Sequence, residues 1–344
     1  MTSVDVCIVG AGPIGIECAI ALKRLGASYV HLERGNLAAT IEWYAPGTTF
    51  FSSSDRIALA GVPLYTANQG KATREDYLLY LRGLVTQFEL DIEFHAEVTD
   101  VTRSDSEWTI EYQKGGRTRG VTAKNIILAV GDMHKPRLLG VPGENLPHVN
   151  HYLEEPHSYF GQRVLIVGGK NSAVEAAIRL ERVGALVTVS YRGKTFDDKR
   201  VKYWLYPELQ YLMRSDMLKV LFESEVVSIG AEEVTLRMKK SKEEKNLVFD
   251  RVLLLTGYEQ EKTLFVRAGL TLEGEGEKPK LNPDTYESDV PGIYVIGTAV
   301  AGTQTGGVKE FIETSHEHIV KVVRAIAGRE IGDFRKPDYS FLEN

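Results

Sequence analysis

Apolar residues in this chain come in short runs that are separated by glycine-containing turns and helix-like segments. Residues 4–9 form the first run, glycines follow it, and residues 16–26 read as a helix that leads into a second run at 28–32. Short buried runs that alternate with helices predict parallel strands joined by helical crossovers. The opening of the chain therefore predicts a strand, turn, helix, strand unit of an α/β fold.

The same order of elements recurs in the second half of the chain. Residues 163–167 are a strand, 168–173 a glycine turn, 174–184 a helix and 186–191 the next strand. Recurrence of one architecture is more specific than either copy alone, so we predict two nucleotide-binding domains. Further strands are predicted at 91–94, 97–101, 108–113, 119–122, 124–130, 252–258 and 292–298, and further helices at 73–88, with Thr73 as N-cap, and from about 309 to 327.

The first glycine turn has the residues that a dinucleotide site requires. Gly10 permits the tight turn, Gly12 lets the backbone approach a pyrophosphate at the helix N-terminus, and Gly15 lets helix and strand pack closely. Glu33 ends the second strand, where a carboxylate accepts a hydrogen bond from a ribose hydroxyl. A free 2′-hydroxyl suits FAD, which we predict for this site.

The second turn differs in its charges. Lys170 replaces the middle glycine, and its ammonium can contact phosphate instead. No acid ends the second strand, which finishes in Tyr191-Arg192 with basic residues at 199, 200 and 202. An acid would repel a 2′-phosphate, whereas an arginine binds it and stacks on adenine. The second site is therefore predicted to take NADPH rather than NADH.

Two other segments bear on the site. Residues 41–54 mix aromatics, hydroxyls, proline and glycine without a period, which indicates a loop that lines a large flat ligand. The strand at 292–298 ends in Gly-Thr before a glycine-rich loop and a helix N-terminus, whose backbone donors can stabilise negative charge on a reduced flavin. Residues 132–157, rich in proline and histidine, read as a connector and a domain boundary.

Composition excludes several classes of function. The 344 residues suffice for two domains, 43% of them are hydrophobic, and the net charge of −6 argues against a nucleic-acid partner. No apolar stretch approaches the roughly 20 residues of a membrane span, and we expect neither a signal peptide nor a membrane partner. The two cysteines, Cys7 and Cys18, fit neither a disulfide framework nor a metal site, so a cytoplasmic location is expected.

With both units in place, the chain resembles the flavoproteins with two dinucleotide-binding domains, in the low-molecular-weight thioredoxin reductase branch. Within that branch it is most similar to the bacillithiol disulfide reductase family, over nearly the whole chain. The residues that carry the resemblance are GAGP-x-G at 10–15, TFFSSSDR at 49–56, GVP at 61–63, HY at 151–152, VGGKNSA at 167–173, YRG at 191–193, VKYW at 201–204 and FIE at 311–313.

The resemblance implies a three-layer ββα arrangement in two Rossmann-like domains. An FAD domain split between residues 1–156 and 259–344 would enclose an NADPH domain at 157–258. It also implies a homodimer or homotetramer that reduces a low-molecular-weight thiol disulfide. One position departs: the family keeps a redox cysteine inside the first turn, where this chain has Ile14. Cys18 is one helical turn further on, so the cysteine mechanism does not carry over.

The motifs and the resemblance together predict two sets of cofactor-binding residues. The FAD set is Gly10, Gly12, Pro13, Ile14, Gly15, Glu33, Arg34, Gly35, Thr49, Phe51, Ser52, Val98, Gly131, Gly297, Thr298, Lys309 and Glu310. The NADPH set is Gly168, Gly169, Lys170, Asn171, Ser172, Ala173, Tyr191, Arg192, Lys202 and Gly257. The candidates for chemistry are Cys18 and His151, together with His316 and His318 on the last helix.

Four functions are compatible with these predictions. The first is an NADPH-dependent reductase of a small disulfide or related acceptor, with hydride passing from NADPH to flavin N5 and electrons then passing directly to the acceptor. A flavin monooxygenase is the second, favoured by the His151-Tyr152 pair before the second turn. The third, a reductase of a ferredoxin- or flavodoxin-like protein, predicts a basic docking patch that an acidic chain does not suggest. A non-catalytic flavin-bound sensor is the fourth.

Overall fold

A computed structural model describes residues 3–104, 106–304 and 310–329, with only the backbone at Arg200. The chain divides into two compact units. The first comprises Met1–Glu42, Gly47–Lys135 and Glu259–Asn344, and the second comprises Trp43–Pro46 and Pro136–Tyr258. The chain leaves the first unit and returns to it through two short strands that pair with each other.

Strands and helices are numbered in chain order. The strands are β1 Ser3–Val9, β2 Tyr29–Glu33, β3 Glu93–Phe94, β4 Glu97–Ser104, β5 Glu107–Lys114, β6 Arg117–Leu128, β7 Lys135–Pro136, β8 Val149–Asn150, β9 Arg163–Val167, β10 Leu186–Tyr191, β11 Lys219–Phe222, β12 Ser224–Ile229, β13 Glu233–Met238, β14 Glu244–Val248, β15 Arg251–Leu254, β16 Tyr258–Glu259, β17 Leu272–Glu273, β18 Lys278–Pro279 and β19 Ile293–Val295. The α-helices are α1 Pro13–Arg24, α2 Ala39–Glu42, α3 Ser54–Ile57, α4 Arg74–Gln87, α5 Asn171–Arg182, α6 Tyr206–Arg214, α7 Thr263–Arg267 and α8 Ile312–Ala327; 3₁₀ helices lie at Pro156–Tyr159, Asp198–Arg200 and Gly297–Ala301.

The first unit is built on a sheet with the order β3-β2-β1-β6-β5-β4, and β19 also pairs with β6. The strands β3, β2, β1, β19 and the second half of β6 are parallel, while β4 and β5 continue the sheet as an antiparallel meander. Trp108 and Ile110 of the meander pack with Cys7 and Leu128 of the parallel part in one buried cluster. Strand residues alternate between faces, so Ile8 points to the opposite face.

The second unit repeats the parallel sheet with the order β11-β10-β9-β15-β8. On one face Val164 and Ile166 pack with residues of α5 and α6, such as Ala177 and Leu209. On the other face Leu165 joins the antiparallel sheet β12-β13-β14 in a separate cluster. The layers are therefore helix, parallel sheet and antiparallel sheet, and the predicted fold class, two Rossmann-like domains with a three-layer ββα arrangement, is confirmed.

The second unit begins earlier than the predicted boundary at residue 157. Strand β8 pairs in parallel with β15, and the Pro142 carbonyl accepts a hydrogen bond from Ile229 N–H at 2.8 Å. Val141 and Leu146 also pack against the second unit's core. The proline-rich stretch is therefore part of this unit rather than a free connector, and the first junction lies between Lys135 and Pro136.

Other element predictions need smaller corrections. The strands predicted at 119–122 and 124–130 are one strand, β6, because it keeps a single register with β1 on both sides of Lys124, from Thr122 to Leu128. Helix α1 begins at Pro13 and α5 at Asn171, several residues before the predicted starts. The loop predicted at 41–54 is divided, since residues 43–46 belong to the second unit. The predicted Thr73 N-cap of α4 is confirmed, in a capping box with Asp76.

Candidate functional site

Three glycines of the first turn meet different surroundings. A Cβ on Gly10, where φ is +105°, would lie 2.5 Å from the Ala129 carbonyl oxygen, and one on Gly15 would lie 2.0 Å from the Gly10 carbonyl oxygen. Both glycines are thus required by the close packing of the protein itself. A Cβ on Gly12, in contrast, meets nothing within 4 Å. The space above Gly12 is open, as a site for an approaching ligand requires.

The N-terminus of α1 opens into the same space. Gly12 is the N-cap and Pro13 follows, and no side chain among the described residues caps the helix. Backbone N–H groups at a helix start lack partners within the helix, and the helix dipole adds partial positive charge there. The open cradle at Gly12 therefore fits an anionic group such as a pyrophosphate.

Glu33 lies at the end of β2 beside this turn and is 8% exposed. Its Oε2 accepts a hydrogen bond from Ala11 N–H at 2.6 Å and its Oε1 accepts one from Gly35 N–H at 2.7 Å. A carboxylate has about four acceptor directions, so capacity for a ribose hydroxyl remains. Glu33 thus both braces the turn and offers the predicted acceptor.

Several predicted FAD-site residues meet at the carboxyl ends of β1, β6 and β19. A Cβ on Gly131 would lie 3.8 Å from Thr298 Oγ1, and one on Gly297 would lie 3.4 Å from Ile14 Cβ. Gln260, which the sequence did not suggest, donates through Nε2 to the carbonyls of Gly131 at 3.0 Å and Ala299 at 2.9 Å. It holds two of the converging segments together, and no local pattern marks it.

The other predicted FAD-site residues are more scattered. Thr49 bridges to Thr73 at the start of α4, and Phe51 is 52% exposed. Val98 lies on the antiparallel meander and packs against its cluster, while Arg34 lies 3.4 Å from His134. Ser52 and Glu310 lie in loops, and Lys309 lies outside the described residues.

The second glycine turn is covered by an aromatic ring. A Cβ on Gly169 would lie 2.3 Å from the Tyr191 ring, and one on Gly193 would lie 2.6 Å from the same ring. Tyr191 in turn stacks on Phe196, with ring centroids 5.3 Å apart and planes 3° apart. Gly168, with φ of +148°, approaches the Leu255 carbonyl. Here the adjacent glycines accommodate the protein's own backbone and Tyr191.

The start of α5 remains available to an anion. Lys170 is its N-cap, and no side chain among the described residues caps it. Asn171 is engaged, because its Oδ1 accepts a hydrogen bond from Lys202 N–H at 2.7 Å. The N-terminal N–H groups of α5, which include those of the predicted Ser172 and Ala173, therefore fit a second phosphate-bearing ligand.

The predicted cations of the second site differ in their pairing. Lys202 Nζ lies 2.9 Å from Glu175 Oε2 in a largely buried ion pair, so its charge is already compensated. Arg192, directly after β10, has no ion-pair partner among the described residues. Lys199 is exposed, and Arg200 is described by its backbone alone. Gly257, with φ of +103°, has open space at its Cβ position.

Neither cysteine offers a reactive thiol. Cys7 and Cys18 are fully buried and unpaired. Burial raises the pKa of the Cys7 thiol to about 12. Burial, reinforced by the charge of Glu17, raises the pKa of Cys18 further. A thiolate is the nucleophile in disulfide exchange, and these surroundings disfavour it at both positions.

The histidine candidates hold structure together. His316 lies 2.7 Å from Glu17 Oε2 through Nδ1, and its Nε2–H donates to the Arg56 carbonyl at 3.0 Å. His318 accepts a hydrogen bond at Nδ1 from Gly297 N–H at 3.1 Å, and burial lowers its pKa to about 4, so it is neutral. It orients Gly297 as an acceptor rather than donating a proton. His151 belongs to the second unit.

Comparison with known proteins places this arrangement in a family. The family model described as "pyridine nucleotide-disulphide oxidoreductase" matches residues 7–297. This chain belongs to that family. It is 34% identical to the bacilliredoxin reductase Bdr of Bacillus subtilis over 324 aligned residues, and these make up 94% of this chain and 97% of the relative.

The solved structure of bacillithiol disulfide reductase Bdr from Bacillus cereus is similar, with a TM-score of 0.90, 32% identity, and coverage of 96% of this chain and 100% of that one. A ferredoxin–NADP reductase of Ignicoccus hospitalis is 26% identical over 304 residues, 85% of this chain and 89% of the relative. The resemblance to bacillithiol disulfide reductases that the motifs indicated is thereby confirmed.

The described residues were also compared with what a membrane span and a metal site require. None of their helices combines the length and the apolar character that crossing a membrane requires. They also contain no group of three or more His, Cys, Asp or Glu side chains arranged to hold a metal ion. As a member of the family, the chain is an oxidoreductase of the pyridine nucleotide-disulphide class.

Proposed function

We propose that this oxidoreductase binds FAD at the first glycine turn and NADPH at the second, and reduces a low-molecular-weight disulfide or related small acceptor without a cysteine of its own. The observation that carries the proposal is a pair of glycine turns, each leading into a helix without a side-chain N-cap, which differ in the charged residue at the end of the neighbouring strand. Glu33 borders the first, and Arg192 follows the strand of the second.

The residues of the first turn suit FAD. The open space at Gly12 and the uncapped N-terminus of α1 favour a pyrophosphate, and Glu33 keeps acceptor capacity for a ribose hydroxyl. Arg192 favours the 2′-phosphate of NADPH, since Lys202 is already paired with Glu175. When bound, the nicotinamide and the flavin supply the hydride chemistry.

The first turn offers no thiol for disulfide exchange. Ile14 occupies the turn position where the family's redox thiol is expected, and both cysteines are buried. Thiol–disulfide exchange requires an accessible thiolate that forms a mixed disulfide. We therefore propose that the acceptor is reduced directly at the cofactor, with Ile14 contributing an apolar wall.

The acceptor class rests on the relatives. Two of them are named for a bacilliredoxin and for bacillithiol disulfide, which favours a small thiol disulfide. The name of the more distant ferredoxin–NADP reductase favours a protein acceptor instead, which is our second candidate. We also propose a cytoplasmic location, in keeping with two unpaired thiols, and a homodimer or homotetramer, as the family resemblance implies.

Anaerobic stopped-flow kinetics test the proposal. Purified protein reconstituted with FAD is mixed with NADPH or NADH, and flavin absorbance is followed before and after adding a panel of disulfides that includes bacillithiol disulfide. We expect faster reduction by NADPH and reoxidation by at least one disulfide, unchanged in a Cys7→Ser, Cys18→Ser double variant. Loss of disulfide turnover in that variant would refute direct reduction. A long-lived oxygenated flavin in air would identify a monooxygenase, and turnover with ferredoxin alone would favour the second candidate.

A further inference from the structure

Asp132 is a carboxylate that none of the sequence motifs marks. It follows Gly131 just beyond the carboxyl end of β6, and it is partly buried. Burial raises the pKa of its carboxyl group, while hydrogen bonds from the side chains of Gln304 and Thr298 oppose that rise. A charged group is kept out of water at such a position only when donors surround it.

A glutamine side chain holds Asp132 through hydrogen bonds. Gln304 Nε2 donates to Asp132 Oδ2 at 2.9 Å and to the Glu310 carbonyl at 3.2 Å, and Gln304 Oε1 accepts from Glu310 N–H at 3.2 Å. One amide side chain thus joins Asp132 to the segment that leads into α8. With Gln304 donating to Oδ2, the carboxylate still has about three unused acceptor directions.

The order of the strands says which part of a ligand reaches Asp132. Side by side, β2, β1 and β6 end at the same edge of the sheet. Glu33 is the last residue of β2, and Gly12 and Asp132 lie just beyond the ends of β1 and β6. Neighbouring strands lie about 4.8 Å apart. A dinucleotide that places its ribose at Glu33 and its pyrophosphate at Gly12 continues in the same direction towards Asp132. In FAD the next group is the ribityl chain.

The chemistry of a carboxylate agrees with that order. A second anion beside Asp132 would be repelled, and an apolar group would leave its lone pairs without donors. A chain of hydroxyl groups supplies donors without charge. We propose that Asp132, held in place by Gln304, accepts hydrogen bonds from ribityl hydroxyls of the flavin, an inference that rests on the proposed FAD site.

Binding of parts of the ligand tests this assignment. Dissociation constants of FAD, riboflavin and ADP are measured by fluorescence and calorimetry on the full-length apoprotein, for the wild type, Asp132→Asn and the matched control Glu33→Gln. We expect Asp132→Asn to weaken the binding of FAD and of riboflavin by a similar factor of roughly ten or more and to leave ADP binding unchanged, because a neutral amide accepts hydrogen bonds more weakly than a carboxylate and places an NH₂ donor on one side. Glu33→Gln should weaken FAD and ADP and leave riboflavin unchanged.

FAD analogues that each lack one ribityl hydroxyl provide a test on the wild-type protein alone. At least one analogue should bind roughly tenfold more weakly than FAD, and that difference should vanish in Asp132→Asn. Equal binding of all the analogues to the wild type, or unchanged FAD affinity in Asp132→Asn, would overturn the assignment. Selective weakening by N3-methylation of the flavin would show that the carboxylate meets the ring instead. If the wild type bound no FAD at all, the proposed function would fail first.

Discussion

Two glycines three positions apart in the same turn should respond in opposite ways to the same substitution. Gly15→Ala adds a methyl group 2.0 Å from the backbone oxygen of Gly10, whereas Gly12→Ala adds one into open space. Gly12 has φ of −74° and ψ of 179°, which alanine adopts without strain. The first change therefore tests the packing of the fold, and the second tests the proposed cofactor cradle.

The magnitudes follow from these distances. Ordinary contacts between non-bonded atoms lie near 3.5–4.0 Å, so Gly15→Ala forces α1 away from β1 by about 1 Å or more. We expect a loss of about 2 kcal/mol or more in the free energy of unfolding, because overpacking exceeds the helix-propensity gain of up to about 1 kcal/mol. Gly12→Ala should change it by less than about 0.5 kcal/mol, since reduced unfolded-state entropy offsets the weaker N-cap.

Cofactor binding should reverse the ranking. The new methyl group on Gly12 keeps a pyrophosphate from the N–H groups of α1, and losing one hydrogen bond to a charged group corresponds to roughly tenfold or more in FAD affinity. Urea unfolding of the apoproteins and FAD titration measure the two quantities separately. Unchanged FAD affinity in Gly12→Ala, at unchanged stability, would refute the placement of the pyrophosphate. A destabilised Gly12→Ala protein would refute the inference of open space.

Three further results are expected. Gln260→Glu should lower the free energy of unfolding by about 1–3 kcal/mol in urea titrations, because it replaces a donor to two backbone carbonyls by an acceptor. Equal stability would show that the two hydrogen bonds of Gln260 do not hold these segments together. Burial lowers the pKa of His31 and of His318 from 6.5 to about 4. Below pH 6.5 the unfolded chain takes up a proton at each histidine while the folded protein does not, so the free energy of unfolding falls between pH 6.5 and pH 4, by about 3 kcal/mol for each histidine at most. In glutamine variants the free energy of unfolding should depend less on pH over this range. Arg192→Gln should reduce the preference for NADPH over NADH at least roughly tenfold in flavin-reduction assays, while the matched Lys202→Gln should reduce it less. A larger effect of Lys202→Gln would show that Lys202, and not Arg192, binds the 2′-phosphate.

The two strand, turn, helix, strand units were predictable from the sequence because their signals are local. Strands β9 and β10 have the predicted bounds, and Gly10 and Gly15 of the first turn stand where backbone crowding demands glycine. Periodicity, turn chemistry and the contrast between Glu33 and Arg192 each depend on residues close together in the chain. The family resemblance, including the departure at Ile14, follows from the same local motifs.

Contacts between distant residues were decided only by the tertiary structure. The proline-rich stretch belongs to the second unit because β8 pairs with β15, about 100 residues later along the chain. Lys202 reads as a free cation in the sequence and is neutralised by Glu175 in the fold. Asp132 and Gln260 carry no motif, and their roles come from partners on other segments. A residue's type and its neighbours in sequence determine which element it forms. The groups that compensate its charge and complete its hydrogen bonds come from segments that are distant in sequence, so only the tertiary structure shows them.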